Sequence, residues 1–332
     1  MTIIERLRQN GIRRTGSPAR GFRYRGRAGR VSREERGRID ALRIPPAWRD
    51  VAVSPSRATS VQAVGKDAAG RWQYIYHGAH AGRRERHKQK RLVRFIAALP
   101  HMRLAIARDL ARRGMPQDKV LAGILQILCT CFLRPGGKVY TERNGSYGLA
   151  TLRRQHVSVR GDRVAFDFAG KSGKRQRREL DDPRIARLVR TLKRYPGEVF
   201  KFRADSGDVV DVHTGHINAY IKRVMGEQFS AKDFRTWAGT LLCACALARG
   251  AGSPARTKHE RRKRIAEALR EVADHLGNTP AVCRSSYVFP AVLRGFEKGR
   301  VIAAYFDDPA ALVNGDVGLV ERSERALIEL LR

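Results

Sequence analysis

The sequence is short of acid. It carries 32 Asp and Glu against 67 Lys and Arg, a formal net charge of +35 and a pI near 11.2. A surplus of this size repels itself and implies a polyanionic partner whose counterions are released on binding, with nucleic acid first and an anionic membrane surface second. Long apolar runs are also missing. No stretch approaches the roughly 18 to 20 apolar residues of a membrane span, and the opening MTIIERLRQNG lacks the apolar core and small-residue cleavage site of a secretory leader. These absences point to the cytoplasm, associated with the nucleoid, with no membrane partner.

Cysteine is scarce, with five in the chain. Cys129, Cys131, Cys243 and Cys245 form C-x-C pairs inside ILQILCTCFL and GTLLCACALA, where small buried hydrophobes are expected rather than disulfides or metal ligands. His77 with His80, and His213 with His216, have a metal-compatible spacing but no Cys or carboxylate companions at ligand spacing. The expectation is no metal and no cofactor.

What is present is a 42% apolar content over 332 residues, enough for one large or two modest cores. Residues 1–38 are dense in Arg and Gly and read as a disordered or loosely docked basic arm. From 39 to 82, extending to about 90, SVQAVG and RWQYIYH flank a turn carrying Gly65, Asp67 and Gly70, the pattern of a small β-rich domain. From 91 to 332 the periodicity is helical, interrupted at Pro100 and again by a β-hairpin or three-strand insert at HVSVRGDRVAFDFAGKSGKRQRREL. The fold class expected is α+β: a small N-terminal antiparallel β-sheet domain followed by a larger, mainly α-helical domain with a β-hairpin insert.

Four segments carry chemistry. Arg134 leaves the apolar helix of ILQILCTCFL into Pro135-Gly136-Gly137. Read alone, it is a cation at a helix C-terminus. In FSAKDFRTWAGT, Ser230 and Asp233 form a capping-box pattern, and Lys232 and Arg235 fall at i and i+3 on the first turn. Two cations at the positive end of a helix are costly unless an anion binds there. Lys171 sits in GKSGK at the tip of the hairpin insert. In LGNTPAVCRSSYV, Thr279 is an N-cap, Pro280 suits the first helical position, Asn278 is a neutral donor, and Tyr287 follows. A phenol titrates near 10, so Tyr287 becomes a nucleophile only where cations stabilise its oxyanion.

In this order the segments resemble the type IB DNA topoisomerases, in the small bacterial and poxvirus-like form, through IPPAWRDV, QAVGKDAAGRWQYIYH, LRPGGKVYTERNGSYGLATLRRQHV, GKSGK, KDFRTWAGT and LGNTPAVCRSSYV. The resemblance covers residues from about 40 to 295. It implies that Tyr287 forms a 3′-phosphotyrosine while a 5′-hydroxyl leaves, that Arg134 and Arg235 clamp the nonbridging oxygens, and that Lys171 is the general acid. Asn278 stands where the viral and eukaryotic enzymes carry histidine, and it can donate a hydrogen bond but no charge. The resemblance also implies that Gln73, Tyr74 and Tyr76 face a DNA groove, that Lys138, Tyr140 and Lys232 contact DNA, and that a monomer clamps the duplex without ATP or metal. Strand alternation puts Gln73 on one face and both tyrosines on the other, so they are not equal contributors. Two alternatives remain. A tyrosine recombinase shares the catalytic chemistry but usually shows His-x-x-Arg where this chain has Lys232-x-x-Arg235. A non-catalytic basic DNA-binding protein has no use for Tyr287.

Overall fold

The computed structural model describes residues 1–27, 29–250, 257–309, 312 and 317–332, apart from the side chains of 79–81. The His80 side chain, one of the His77–His80 pair, therefore lies outside the described residues. The chain divides into two compact units, Met1–Lys88 and Gln89–Arg332.

The first unit is built on a six-stranded antiparallel sheet: β1 (Ile12–Ser17), β2 (Gly21–Gly26), β3 (Gly29–Arg30), β4 (Arg49–Val53), β5 (Val61–Lys66) and β6 (Trp72–Tyr76), in the order β3-β2-β1-β4-β5-β6. Helix α1 (Ile3–Asn10) is opened by a capping box in which Glu5 accepts from the Thr2 N–H and the Thr2 hydroxyl accepts from the Glu5 N–H. Its Leu7 packs with Ala52, Val61 and Val64. Helix α2 (Arg33–Ala41) places Ile39 against Ile12, Tyr24, Val51, Val53 and Ala63, which belong to the other sheet face because neighbouring strand residues alternate.

Residues 1–38 are thus not a loose arm. They supply both helix α1 and three of the six strands, and most of α2. The arginines dominate the composition of this segment, but a sparse set of apolar residues, Leu7, Ile12, Phe22, Tyr24 and Val31, suffices to dock it on the sheet.

The second unit is mainly helical, and α3 (Gly78–Leu110) leads into it. Pro100 lies inside α3 and does not break it. Its cost of about 3 kcal/mol is met by an apolar stripe on both sides, Leu92, Phe95, Ile96, Leu99, Met102 and Ile106, all buried in the main core. That core surrounds α4 (Gln117–Cys131), buried along most of its length. After α5 (Lys138–Asn144) comes an antiparallel three-stranded sheet of β7 (Val157–Arg160), β8 (Arg163–Ala169) and β9 (Arg175–Asp181). The chain continues through α6 (Pro183–Leu192), the pair β10 (Lys201–Arg203) and β11 (Val209–Asp211), and α7 (Thr214–Met225). It closes with α8 (Ala231–Arg249), α9 (Lys258–Leu276), α10 (Pro280–Ser286), α11 (Pro290–Glu297) and α12 (Val317–Leu331). The architecture is α+β.

All five cysteines are free, and burial raises the thiols of Cys129, Cys243 and Cys245 to about 12. His213 and His216 stack at 3.5 Å between ring centroids, and His216 Nδ1 accepts the His213 backbone N–H at the start of α7. No helix among the described residues is long and apolar enough to cross a membrane.

Candidate active site

Arg134 is positioned by the way α4 ends. Phe132 takes a left-handed conformation (φ 52°), which turns the chain out of the helix, and the Arg134 carbonyl accepts the Leu149 N–H at 2.9 Å. Gly136 (φ 80°) lies so close to Gly148 that a Cβ on Gly148 would sit 2.5 Å from the Gly136 Cα, so this crossing demands two glycines. The Arg134 Nη2 donates to Asn278 Oδ1 at 2.6 Å, across 144 residues of sequence.

Helix α8 supplies Arg235. The Asp233 carboxylate accepts from the Ser230 N–H (2.9 Å) and hydroxyl (3.0 Å), fixing the first turn, and is itself held by a two-bonded Arg91 at 2.8 and 2.7 Å. Lys232 and Arg235 then part company: Lys232 is exposed, whereas Arg235 is 3% exposed. The Arg235 guanidinium donates to the carbonyls of Phe132 and Leu276, the ends of α4 and α9, and lies 4.9 Å from the centroid of the Tyr287 ring. Burial, reinforced by the Arg134 charge, lowers Arg235 to about 10, and it remains a cation at neutral pH.

Helix α9 stops at Gly277 (φ 61°), where the chain turns so that the Asn278 N–H reaches the Ala273 carbonyl at 2.9 Å. Thr279 caps α10 with Pro280 at its first position, and Tyr287 closes that helix. Gly239 of α8 makes room for the tyrosine. A methyl there would meet Tyr287 Cβ at 3.0 Å and both Tyr287 O and Leu276 Cδ1 at 3.1 Å. Thr240 Oγ1 donates to the Tyr287 carbonyl at 3.0 Å and accepts the Phe289 N–H. Burial alone would raise the half-buried phenol, but the charges and hydrogen bonds of Arg235 and Arg134 outweigh it and hold Tyr287 below its ordinary value. Two buried donors at this site, Arg235 Nε and Asn278 Nδ2, have no hydrogen-bond partner among the described residues. Unpaired buried N–H groups are costly and call for an acceptor.

The structure brings Arg134, Arg235, Asn278 and Tyr287 together from four segments. Lys171 it leaves apart, exposed on the turn between β8 and β9, where Ser172 (φ 61°) and Gly173 (φ 71°) adopt left-handed conformations. The sheet bearing that turn is nevertheless docked near the site. Arg178 of β9 donates to the carbonyls of Asp274 and His275 at the end of α9, and the buried Gln176 packs against Gly277. The residues that position the site, Arg178, Gln176, Gly239, Thr240 and Arg91, were not singled out from the sequence. A glycine inside the helical pattern of FRTWAGTLL was the one available signal.

Of the other expected contact residues, Lys138 is exposed and 3.8 Å from Asp211, and Tyr140 is 63% exposed on α5, a helix without a buried residue. On β6, Tyr74 and Tyr76 lie on one face with ring centroids 6.1 Å apart. Gln73 lies on the other face, where its Nε2 donates to Asp67 at 2.9 Å.

The profile described as eukaryotic DNA topoisomerase I, catalytic core, matches residues 78–299, and that of the bacterial DNA topoisomerase IB N-terminal domain matches residues 21–67. The chain belongs to the type IB DNA topoisomerases. The DNA topoisomerase 1B of Acanthamoeba polyphaga mimivirus is 32% identical over 275 residues, which is 80% of this chain and 81% of the viral one. The DNA topoisomerase 1B of vaccinia virus (strain Copenhagen) and the DNA topoisomerase I of monkeypox virus are each 26% identical over 137 residues, 40% of this chain and 44% of theirs. Membership makes the chain an isomerase that binds DNA. It also sets aside the two alternatives; the first match spans the segments that hold Arg134, Arg235, Asn278 and Tyr287, and the second lies within the sheet unit.

Proposed function

We propose that this type IB topoisomerase relaxes supercoiled duplex DNA through a covalent 3′-phosphotyrosine. Tyr287 Oη attacks a backbone phosphorus; the new O–P bond forms as the bond to the 5′ oxygen breaks. The phenolic proton leaves to water, and the 5′ oxygen takes a proton from Lys171 once the turn carrying it closes on the bound strand. Arg134 and Arg235 stabilise the charge on the nonbridging oxygens, and Asn278 Nδ2 donates a neutral hydrogen bond to one of them. Religation runs the same steps backwards. The phosphotyrosine conserves the bond energy, so neither ATP nor metal is consumed.

One observation carries this reading: Arg235 and Arg134 hold the Tyr287 phenol below its ordinary pKa, and beside them Arg235 Nε and Asn278 Nδ2 are buried donors without a partner among the described residues. Binding engages one duplex by one chain, with the two units closing on it as a clamp. Tyr140 and Lys138 on α5, Lys232, and Tyr74 and Tyr76 on β6 contact the DNA; Gln73 contributes only if it exchanges Asp67 for a base edge. The test is relaxation of supercoiled plasmid in EDTA without ATP. Wild type is expected to relax it and Tyr287→Phe to leave it supercoiled. Relaxation by the Phe variant at the wild-type rate would remove Tyr287 from the chemistry, and a wild-type requirement for Mg²⁺ or ATP would refute the class of mechanism.

A further inference from the structure

The register of the N-terminal sheet lines up arginines. Arg13 of β1 stands directly opposite Arg25 of β2, and Arg25 directly opposite Arg30 of β3. Arg23, two residues from Arg25, points to the same face. All four are exposed. Like charges directly opposite each other destabilise a sheet, so three strands carry a local cost that their own packing does not explain. The residues of the opposite face, Ile12, Phe22 and Tyr24, belong to the core under α2.

Most carboxylates of this unit are engaged away from the strip. Glu5 is used in the cap of α1, Glu34 pairs with Arg57, Glu35 with Arg38, Asp40 with Arg36, and Asp67 with Arg71. Asp50 pairs with Lys66 at 2.9 Å, and its charge also acts on Arg13 at the inner end of the row. Arg13 Nε donates to the Arg8 carbonyl at the end of α1, whereas no hydrogen bond or ion pair among the described residues engages the guanidinium groups of Arg23, Arg25 or Arg30. The same face continues across the sheet: Arg13 pairs with Ala52, Ala52 with Val64, and Val64 with Tyr74, and α1 is seated over Ala52 and Val64 between the two edges.

We propose that Arg23, Arg25 and Arg30, with Arg13 at their inner end, form a phosphate-binding strip for the DNA backbone, at the far edge of the sheet face that carries Tyr74 and Tyr76. The strip spans two inter-strand spacings, about 10 Å, and one DNA strand presents a phosphate about every 3.4 Å of axis, so it can meet two or three phosphates of one strand. Phosphate contacts carry no sequence information, and the strip therefore adds affinity without preference. This inference rests on the proposed function for its partner and extends it to residues outside the chemistry.

The test is the salt dependence of duplex binding by the full chain with Tyr287→Phe, which keeps binding noncovalent. Adding Arg23→Ala, Arg25→Ala and Arg30→Ala is expected to lower the slope of log affinity against log salt by about 2 to 3, at about 0.9 per phosphate, and by the same amount on two unrelated duplexes. The triple Lys variant is expected to keep most of the slope. The triple Gln variant, with unfolding temperature measured alongside, repeats the test should the Ala variant lose strand pairing. An unchanged slope in the folded Ala or Gln variant overturns the strip, and so does a loss confined to one duplex sequence. A wild type that fails to cleave would sink the proposed function, while the slopes would still decide the strip.

Discussion

Gly239→Ala tests how tightly the fold positions Tyr287, the proposed nucleophile. The added methyl meets Tyr287 Cβ at 3.0 Å and Tyr287 O and Leu276 Cδ1 at 3.1 Å, where ordinary contact starts at 3.4 Å. Relief therefore requires a shift of a few tenths of an ångström in the backbone that carries the phenol. Overpacking of this kind costs about 1 to 3 kcal/mol, and alanine in place of glycine within a helix recovers about 1 kcal/mol. The net change in stability is thus about 0 to 2 kcal/mol. The rate is more sensitive: a misplacement of about 1 Å costs roughly 100-fold, so a few tenths predict a loss of about 4- to 10-fold. The assay is single-turnover formation of the covalent adduct on a suicide duplex, run beside urea denaturation of the same variant. Cleavage within about twofold of wild type, at unchanged stability, would show that Tyr287 is not held by this contact and would refute the reasoning.

Three further outcomes follow from the site and its supports. Lys171→Ala should lose cleavage on an ordinary duplex by about 100- to 10,000-fold, the usual worth of a general acid, and recover it on a substrate with a 5′-bridging sulfur, whose leaving group needs little protonation; no recovery would take that role from Lys171. Arg134→Ala removes one of the charges that hold Tyr287 below its ordinary pKa, so the rising limb of its cleavage rate against pH should move to higher pH, and an unmoved limb would contradict the coupling. In Asp109, burial would raise the carboxyl, but hydrogen bonds from Arg108 and Tyr220 and the charges of Arg108 and Arg112 hold it at about 2 against an ordinary 3.8. A depressed folded pKa gives stability that is present above the unfolded value and lost as pH falls through the folded one. Asp109→Asn should therefore be less stable than wild type above pH 4, with the gap in urea midpoint narrowing towards pH 2; a constant gap would refute the assignment.

Much of the site was legible because its parts are written as short local rules. The Thr279-Pro280 helix start, the Ser230–Asp233 cap and the hairpin turn at Lys171 each depend on a few neighbouring residues, and the structure has all three. The same locality misled in two places. Pro100 is a helix breaker by its own chemistry, yet the core on both sides of it keeps α3 continuous. Arginine dominates residues 1–38, yet β1, β2 and β3 form there because a few apolar side chains find partners on β4 and α2.

Composition by itself determined that this chain needs a polyanion, since +35 is a property of the residue list and no folding can remove it. The candidate residues for the proposed chemistry were likewise picked out by their motifs. Tertiary structure alone decided how they work together: that Arg235 is buried while Lys232, three residues before it, is exposed; that Arg134 meets Asn278 across 144 residues; and that Gly239 gives Tyr287 its place. The physical reason is range. Caps, turns and periodicity act over a few residues of chain, whereas the field that lowers the Tyr287 phenol comes from guanidinium groups brought there by the packing of α4, α8 and α9 around one core.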